Sequence, residues 1–424
     1  MRMTLAILVT ALLWALAQAA PAPVAIYDRD PQHLWNRLYR EIAVRTDGTT
    51  AYGIDNAEPF NEPFDHPQRL IAVLKEFLTV HGEIRCATAL RRALMQNDLW
   101  SAFDLTAGPS ARTGDSAIRP LLARVIERLE LPDTALSQLP DNYAAAVKSG
   151  KFAADFDPSH PEQSFLPPDL FDPNGPWVQL GADDRGAPVA AMHAEMLSGR
   201  SVFKVFIRLP GGRQATLAYL ARLNLYPTPW ALRPADIATT YPDHNKVRWS
   251  PLRFDPQTPQ FPPGTILALV RQMMVIDDKL QPVPTAVTQK VQFRVYKEVG
   301  SAPAKAREIP FEFVLRRRDL LGEAAVGLHA VAPDEAEYQL TTIPMGVSRA
   351  QLLSGPVVLT TCVRCHSAEG IFSVNSYTSP FSPDRANPQL LPAHFPDVEA
   401  QRTAEWKEKQ FNWGLLRGLL ERDP

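Results

Sequence analysis

Ser201-Val202-Phe203-Lys204-Val205-Phe206-Ile207-Arg208-Leu209-Pro210-Gly211-Gly212 is where the period of the chain changes. Within it Phe203, Val205, Ile207 and Leu209 alternate with Lys204, Phe206 and Arg208, the two-residue repeat of a strand. Gly211-Gly212 then turns the chain toward a short helix around Leu217 and Leu220. Further on, Thr265 to Ile276, Val291 to Tyr296 and Ile309 to Arg316 repeat the strand signal. The last two alternate through Val291, Phe293, Val295 and Phe311, Phe313, Leu315. The middle of the chain therefore reads as a small, mostly antiparallel sheet.

Upstream the period is helical. Leu70, Ile71, Leu74, Phe77 and Leu78 form one stripe, and Ile118, Leu121, Leu122, Val125, Ile126 and Leu129 another. Downstream, helix signals return from Val347 and end in Thr403 to Leu420, where Trp406, Trp413, Leu416 and Leu420 mark one face. Between Asp155 and Trp177 the prolines 158, 161, 167, 168, 173 and 176 exclude helix and central strand, leaving a linker or a wrapped surface loop. The expected fold class is α+β: a helical region at 20–154, the proline-rich stretch at 155–176, an α+β body at 177–345 and a mainly helical segment at 346–424.

Composition narrows the function. The 44 Lys and Arg against 46 Asp and Glu give a formal charge of −2, without the basic excess that nucleic acid or anionic lipid would attract. Three cysteines are too few for a disulfide scaffold, whereas 40 prolines foretell much irregular chain. Arg2, the apolar run Leu5 to Leu16 and Ala17-Gln18-Ala19 have the layout of a secretory signal peptide over residues 1–19, and no other stretch is long and apolar enough to span a membrane. The expectation is export, to the periplasm in a bacterium.

One motif carries chemistry: Cys362-Val363-Arg364-Cys365-His366. Two cysteines three residues apart on a helical turn face the same way and can bond the two vinyl groups of one porphyrin, and the next residue can place an imidazole nitrogen on its iron. At this chain's own Cys and His frequencies the pattern would arise by chance in fewer than about one such chain in a thousand. In these five residues the chain resembles the c-type cytochromes. The resemblance implies one covalent haem c held by Cys362 and Cys365, with His366 as proximal iron ligand and a redox protein as partner. It also implies maturation outside the cytoplasm, in keeping with the export signal. Without haem, Cys362 and Cys365 would form a disulfide or redox pair in an exported binding or structural protein. A zinc site would need a fourth ligand from Cys86 or a distant His.

The chain departs from small cytochromes in carrying the motif late, with no Met after His366. Met345 and His394 are the nearby choices for the second axial position, beside an iron that is open or ligated from upstream. Two protein ligands make an electron carrier, whereas a vacant position would admit peroxide or another small molecule, as in a peroxide-consuming enzyme. Phe372, Tyr377, Phe381, Trp406, Phe411 and Trp413 are candidates to cover a porphyrin or to serve as ordinary core. Cys86 reads as a buried thiol, and His193 and Glu195 as a solvated helix face or as ligands or acid–base groups. Arg316-Arg317-Arg318 reads as a solvated strand end or as a partner for haem propionates or an acidic protein. No Gly-x-Ser-x-Gly, His-Glu-x-x-His or phosphate-binding glycine loop is present, which argues against the commonest hydrolases and nucleotide-dependent enzymes.

Overall fold

The computed structural model describes residues 24–47, 50–55, 64–85, 88–108, 113–181, 188–226, 229–232, 252–300, 308–322, 326–332, 335, 366, 368–378, 390–393 and 397–421. The signal-like segment 1–19, Cys86, Met345, Cys362, Cys365, Phe381 and His394 lie outside them.

The chain is α+β. Its main helices are α1 (Leu34–Ala43), α2 (Pro67–Thr79), α3 (Ala89–Ala107), α4 (Arg119–Arg128), α5 (Asn142–Lys148), α6 (Ala191–Met196), α7 (Gly212–Leu223), α8 (Val398–Glu408) and α9 (Phe411–Leu420). The strands of the central sheet are β1 (Val178–Gly181), β2 (Ser201–Arg208), β3 (Ile266–Ile276), β4 (Pro282–Tyr296), β5 (Glu308–Leu315), β6 (Leu328–Ala330) and β7 (Leu391–Pro392). Their order is β6-β5-β4-β3-β2-β1-β7, every pair antiparallel, so the sheet is a meander to which the C-terminal segment adds one edge strand.

Alternation along the strands sorts side chains onto two buried faces. Phe203, Val205 and Ile207 meet α7 and the 371–377 segment on one face. Phe206, Val270, Val291, Phe293, Phe311 and Phe313 form the other. This second face is covered by the proline-rich stretch: Phe165, Leu166 and Leu170 are buried there, and the Phe165 ring lies 4.7 Å from that of Phe293. Both faces are thus apolar, and Phe206, on the side of β2 that carries Lys204 and Arg208, is as sealed as its neighbours.

A third core joins the helical layer to one end of the sheet. Residues of α1 to α4 pack with Val202, Met273, Met274, Val275 and Ile276, and with Trp413, Leu416 and Leu420 of α9. The central helix α3 is buried around most of its girth, so its polar residues need partners. Gln96 Nε2 donates to the Ile276 carbonyl at 2.8 Å and Gln96 Oε1 accepts from Ile276 N at 2.8 Å, while Asn97 Nδ2 donates to Met274 O at 2.8 Å. These amides serve strand backbone beside a register shift between β3 and β4.

Two further groups of α3 are ionic. Asp98 is paired with Arg317, both fully buried, and also accepts from the Tyr27 hydroxyl at 3.2 Å. Arg317 therefore belongs to the core, a correction to the solvated strand end expected from the Arg316–Arg318 run. Arg316 pairs with Glu335 at 2.9 Å. Asp104 accepts from Arg200 Nη1 at 2.6 Å, Lys407 Nζ at 3.1 Å and Asn412 Nδ2 at 2.6 Å. The region read as one helix from Thr403 to Leu420 is two, α8 and α9, broken at Lys409–Gln410.

A buried pair gives little net stability, yet removing one partner strands the other charge at a cost of about 3–5 kcal/mol. We expect Asp98→Ala to lower the unfolding free energy by that amount in denaturant titrations. The double variant Asp98→Leu/Arg317→Met should be less destabilised than Asp98→Ala.

Glu130 supplies a pH-dependent test. Burial, then Glu127, Asp277 and Asp278, push its carboxyl up to about 8, and among the described residues its Oε1 has no hydrogen-bond partner. The folded state therefore holds this proton more tightly than the unfolded one. The contribution to stability is full below the ordinary glutamate range and is lost as pH rises through about 8. Glu130→Gln is expected to flatten the fall of melting temperature between pH 5 and pH 9.

Candidate functional site

His366 is the described residue of the Cys-x-x-Cys-His motif, and its surroundings fix both its position and its tautomer. The chain continues from it into a 3₁₀ turn, Gly370–Ser373, which folds back so that the Ser373 carbonyl lies 2.7 Å from His366 Nδ1. A carbonyl only accepts, so Nδ1 carries the proton and Nε2 keeps its lone pair. That tautomer is the one a metal-binding histidine takes, its second nitrogen anchored to backbone.

The turn is fastened to the sheet. Ser373 Oγ and the Tyr296 hydroxyl, at the end of β4, are 2.7 Å apart. Ile371 N donates to Gln260 Oε1 at 2.9 Å, and Ile371, Phe372, Val374 and Tyr377 are buried on the face shared with α7. Arg294 of β4 is held by Glu308 through two hydrogen bonds of 2.8 and 2.7 Å, and reaches the His366 carbonyl at 3.4 Å. Burial first, then Arg294, bring the imidazole down to about 3, so His366 is neutral at physiological pH.

The ring of His193, on α6, lies parallel to that of His366 within 8°, with the two centroids 6.3 Å apart. Both rings are half-buried by exposed surface, yet deep enough for desolvation to matter. Burial, then Lys290 and Arg271, hold His193 down at about 4. On the other side His193 meets Phe203 of β2, with ring centroids at 5.3 Å. The expected solvated helix face therefore fits Glu195, which is exposed, and not His193.

Of the aromatic candidates, Phe372 continues a stack in which Phe254 lies 4.4 Å from Phe372 and 4.7 Å from Trp230. Tyr377 is fully buried in the same core. Trp413 instead packs on Trp100 in the helical layer at 5.5 Å, Trp406 lies over Gly199, and Phe411 is 77% exposed. Among the described residues no group of three or more His, Cys, Asp or Glu side chains is set to hold a metal ion. No helix of the described residues is long and apolar enough to cross a membrane.

The nitrogen donors among the described residues are of the kind a haem iron takes. His366 offers a neutral imidazole with an anchored Nδ1, and the neutral imidazole of His193 lies parallel to it with centroids 6.3 Å apart. Sequence reasoning singled out His193 but gave it no partner, because the contact joins α6 to a distant segment of chain.

Gly370 tests the turn. Its φ is 48°, in the left-handed region, and a Cβ there would overlap Gln260 Oε1. Gly370→Ala should destabilise the fold by about 1–3 kcal/mol. It should also raise amide hydrogen exchange at Ile371 and Phe372 more than in α3.

Compared with protein-family models, with curated proteins and with solved structures, the chain matches none.

Proposed function

We propose that this chain is an exported c-type cytochrome-like protein carrying one covalent haem c, and that its role is electron transfer with a partner redox protein. The observation that carries the reading is the His366 Nδ1 to Ser373 carbonyl hydrogen bond at 2.7 Å, occurring in a Cys-x-x-Cys-His motif. It turns the lone pair of Nε2 into the free coordinating atom. A bare disulfide gives no reason for that anchoring; a zinc ion would, but among the described residues no group of three or more His, Cys, Asp or Glu side chains is set to hold one.

Bound haem would supply an iron centre that gains and loses one electron. Cys362 and Cys365 would tether the porphyrin edge, and His366 would hold the iron from one side. Ser373 fixes the orientation of the His366 ring, and Tyr296 in turn holds the Ser373 hydroxyl. Ile371, Phe372 and Tyr377 form an apolar face beside the site that would lower the dielectric around a haem bound there. A simple carrier needs only about 100 residues. The remaining sheet and helical layer give this one a body on which a redox partner can dock. The layout of residues 1–19 supports export, to the periplasm in a bacterium, where covalent haem attachment takes place.

The test is a pyridine haemochrome assay, with oxidised and reduced absorption spectra, on protein exported from a cell competent in cytochrome c maturation. One covalent haem per chain is expected. Cys362→Ala and Cys365→Ala should weaken or abolish attachment, and His366→Ala should change the ligation of the iron. Absence of haem in the parent protein, or unchanged spectra in all three variants, would overturn the assignment.

A further inference from the structure

We propose that His193 is the second axial ligand, so that the iron is held between two histidines. The proposal rests on the haem reading above and adds to it the identity of the opposite ligand, which the sequence left among Met345, His394 and an open or upstream-ligated iron.

Geometry carries it. A metal–imidazole bond is about 2.0–2.1 Å, and an imidazole nitrogen lies about 1.1 Å from its ring centre. Two imidazoles on opposite sides of one ion therefore have centroids about 6.3 Å apart. The His193 and His366 centroids are 6.3 Å apart with the ring planes 8° from parallel. Among the described residues, neither nitrogen of His193 has a hydrogen-bond partner, although the side chain is half-buried and desolvated.

The position of His193 is also enforced from outside the site. Glu399 of α8, fully buried, accepts from Val189 N at 2.6 Å just before α6. After α6, Gly199 N donates to the Ala194 carbonyl at 2.8 Å and closes a tight turn at φ 69°. A Cβ on Gly199 would press on Trp406 and Lys407 of α8 at 3.0–3.1 Å. One helix thus holds both ends of the six-residue α6, and Phe203 supports the ring from β2. A short helix on a surface has no need of such fixing. A ligand that must meet an iron at one distance does.

The consequence is chemical. Two imidazoles saturate the iron, which excludes peroxide from it and favours electron transfer. A second His also gives a lower potential than the Met of familiar small cytochromes.

The experiment uses the full chain loaded with haem during export. The parent ferric protein should be low-spin, and near-parallel imidazole planes should give a rhombic electron paramagnetic resonance signal. His193→Ala should keep one covalent haem by the haemochrome assay, become high-spin, and return to low-spin when imidazole is added. His193→Met should stay low-spin with a raised potential, and it serves as the second variant should the alanine protein fail to fold. A low-spin spectrum unchanged in His193→Ala, with haem still attached, would overturn this ligand assignment while leaving the haem reading intact. A high-spin parent protein would do the same. No covalent haem in the parent protein would instead bring down the haem reading itself.

Discussion

A single buried carboxylate, Asp104, ties the parts of this protein together. It projects from the central helix α3 and collects Arg200, at the entrance to β2, with Lys407 of α8 and Asn412 at the start of α9. Lys407 is itself fully buried, and desolvation brings its ammonium down to about 8 even with Asp104 beside it. Such a cluster is poor evidence of net stability, since three charged side chains, Asp104, Arg200 and Lys407, have been taken out of water to make it. It does link α3 to the entrance of β2, to α8 and to the start of α9 at one point. With α8 fixed, Glu399 and Trp406 fix α6, and the His193 ring is set opposite His366.

The sheet supplies the other half of the site in the same indirect way. Tyr296 ends β4 with its ring in the core beside α7 and its hydroxyl on Ser373. Arg294, two residues earlier on the same strand, is clamped by Glu308 of β5. The orientation of the His366 imidazole therefore rests on strand pairing, since the turn that holds it has only four residues and no long-lived structure of its own.

Much of the architecture could be read from the chain because it depends on local periodicity. Phe203, Val205 and Ile207 announce β2, the stripe from Leu70 to Phe77 announces α2, and Gly211-Gly212 marks the turn into α7. What could not be read depends on contacts distant in sequence. Arg317 looks like one of three exposed arginines until Asp98 is brought against it. The break between α8 and α9 falls at Lys409–Gln410, with neither Pro nor Gly to announce it, while Gly414 and Gly418 lie inside α9. The site divides likewise. The Cys-x-x-Cys-His spacing is a local signal, visible at once. The burial of His193, and its parallel placement against His366, come from α8 and β2 folding around a helix too short to show an amphipathic pattern.

The two outer strands of the sheet also limit how this protein can meet others. β6 has three residues and β7 two, the second of them Pro392, which has no N–H to offer. Edges this short, one ending in proline, give an incoming chain almost no ladder to extend, which is how natural sheets avoid runaway pairing with copies of themselves. Among the described residues, strand addition therefore has little to extend along these edges. A partner that met the sheet along these described edges would find side chains there rather than a long run of free backbone groups.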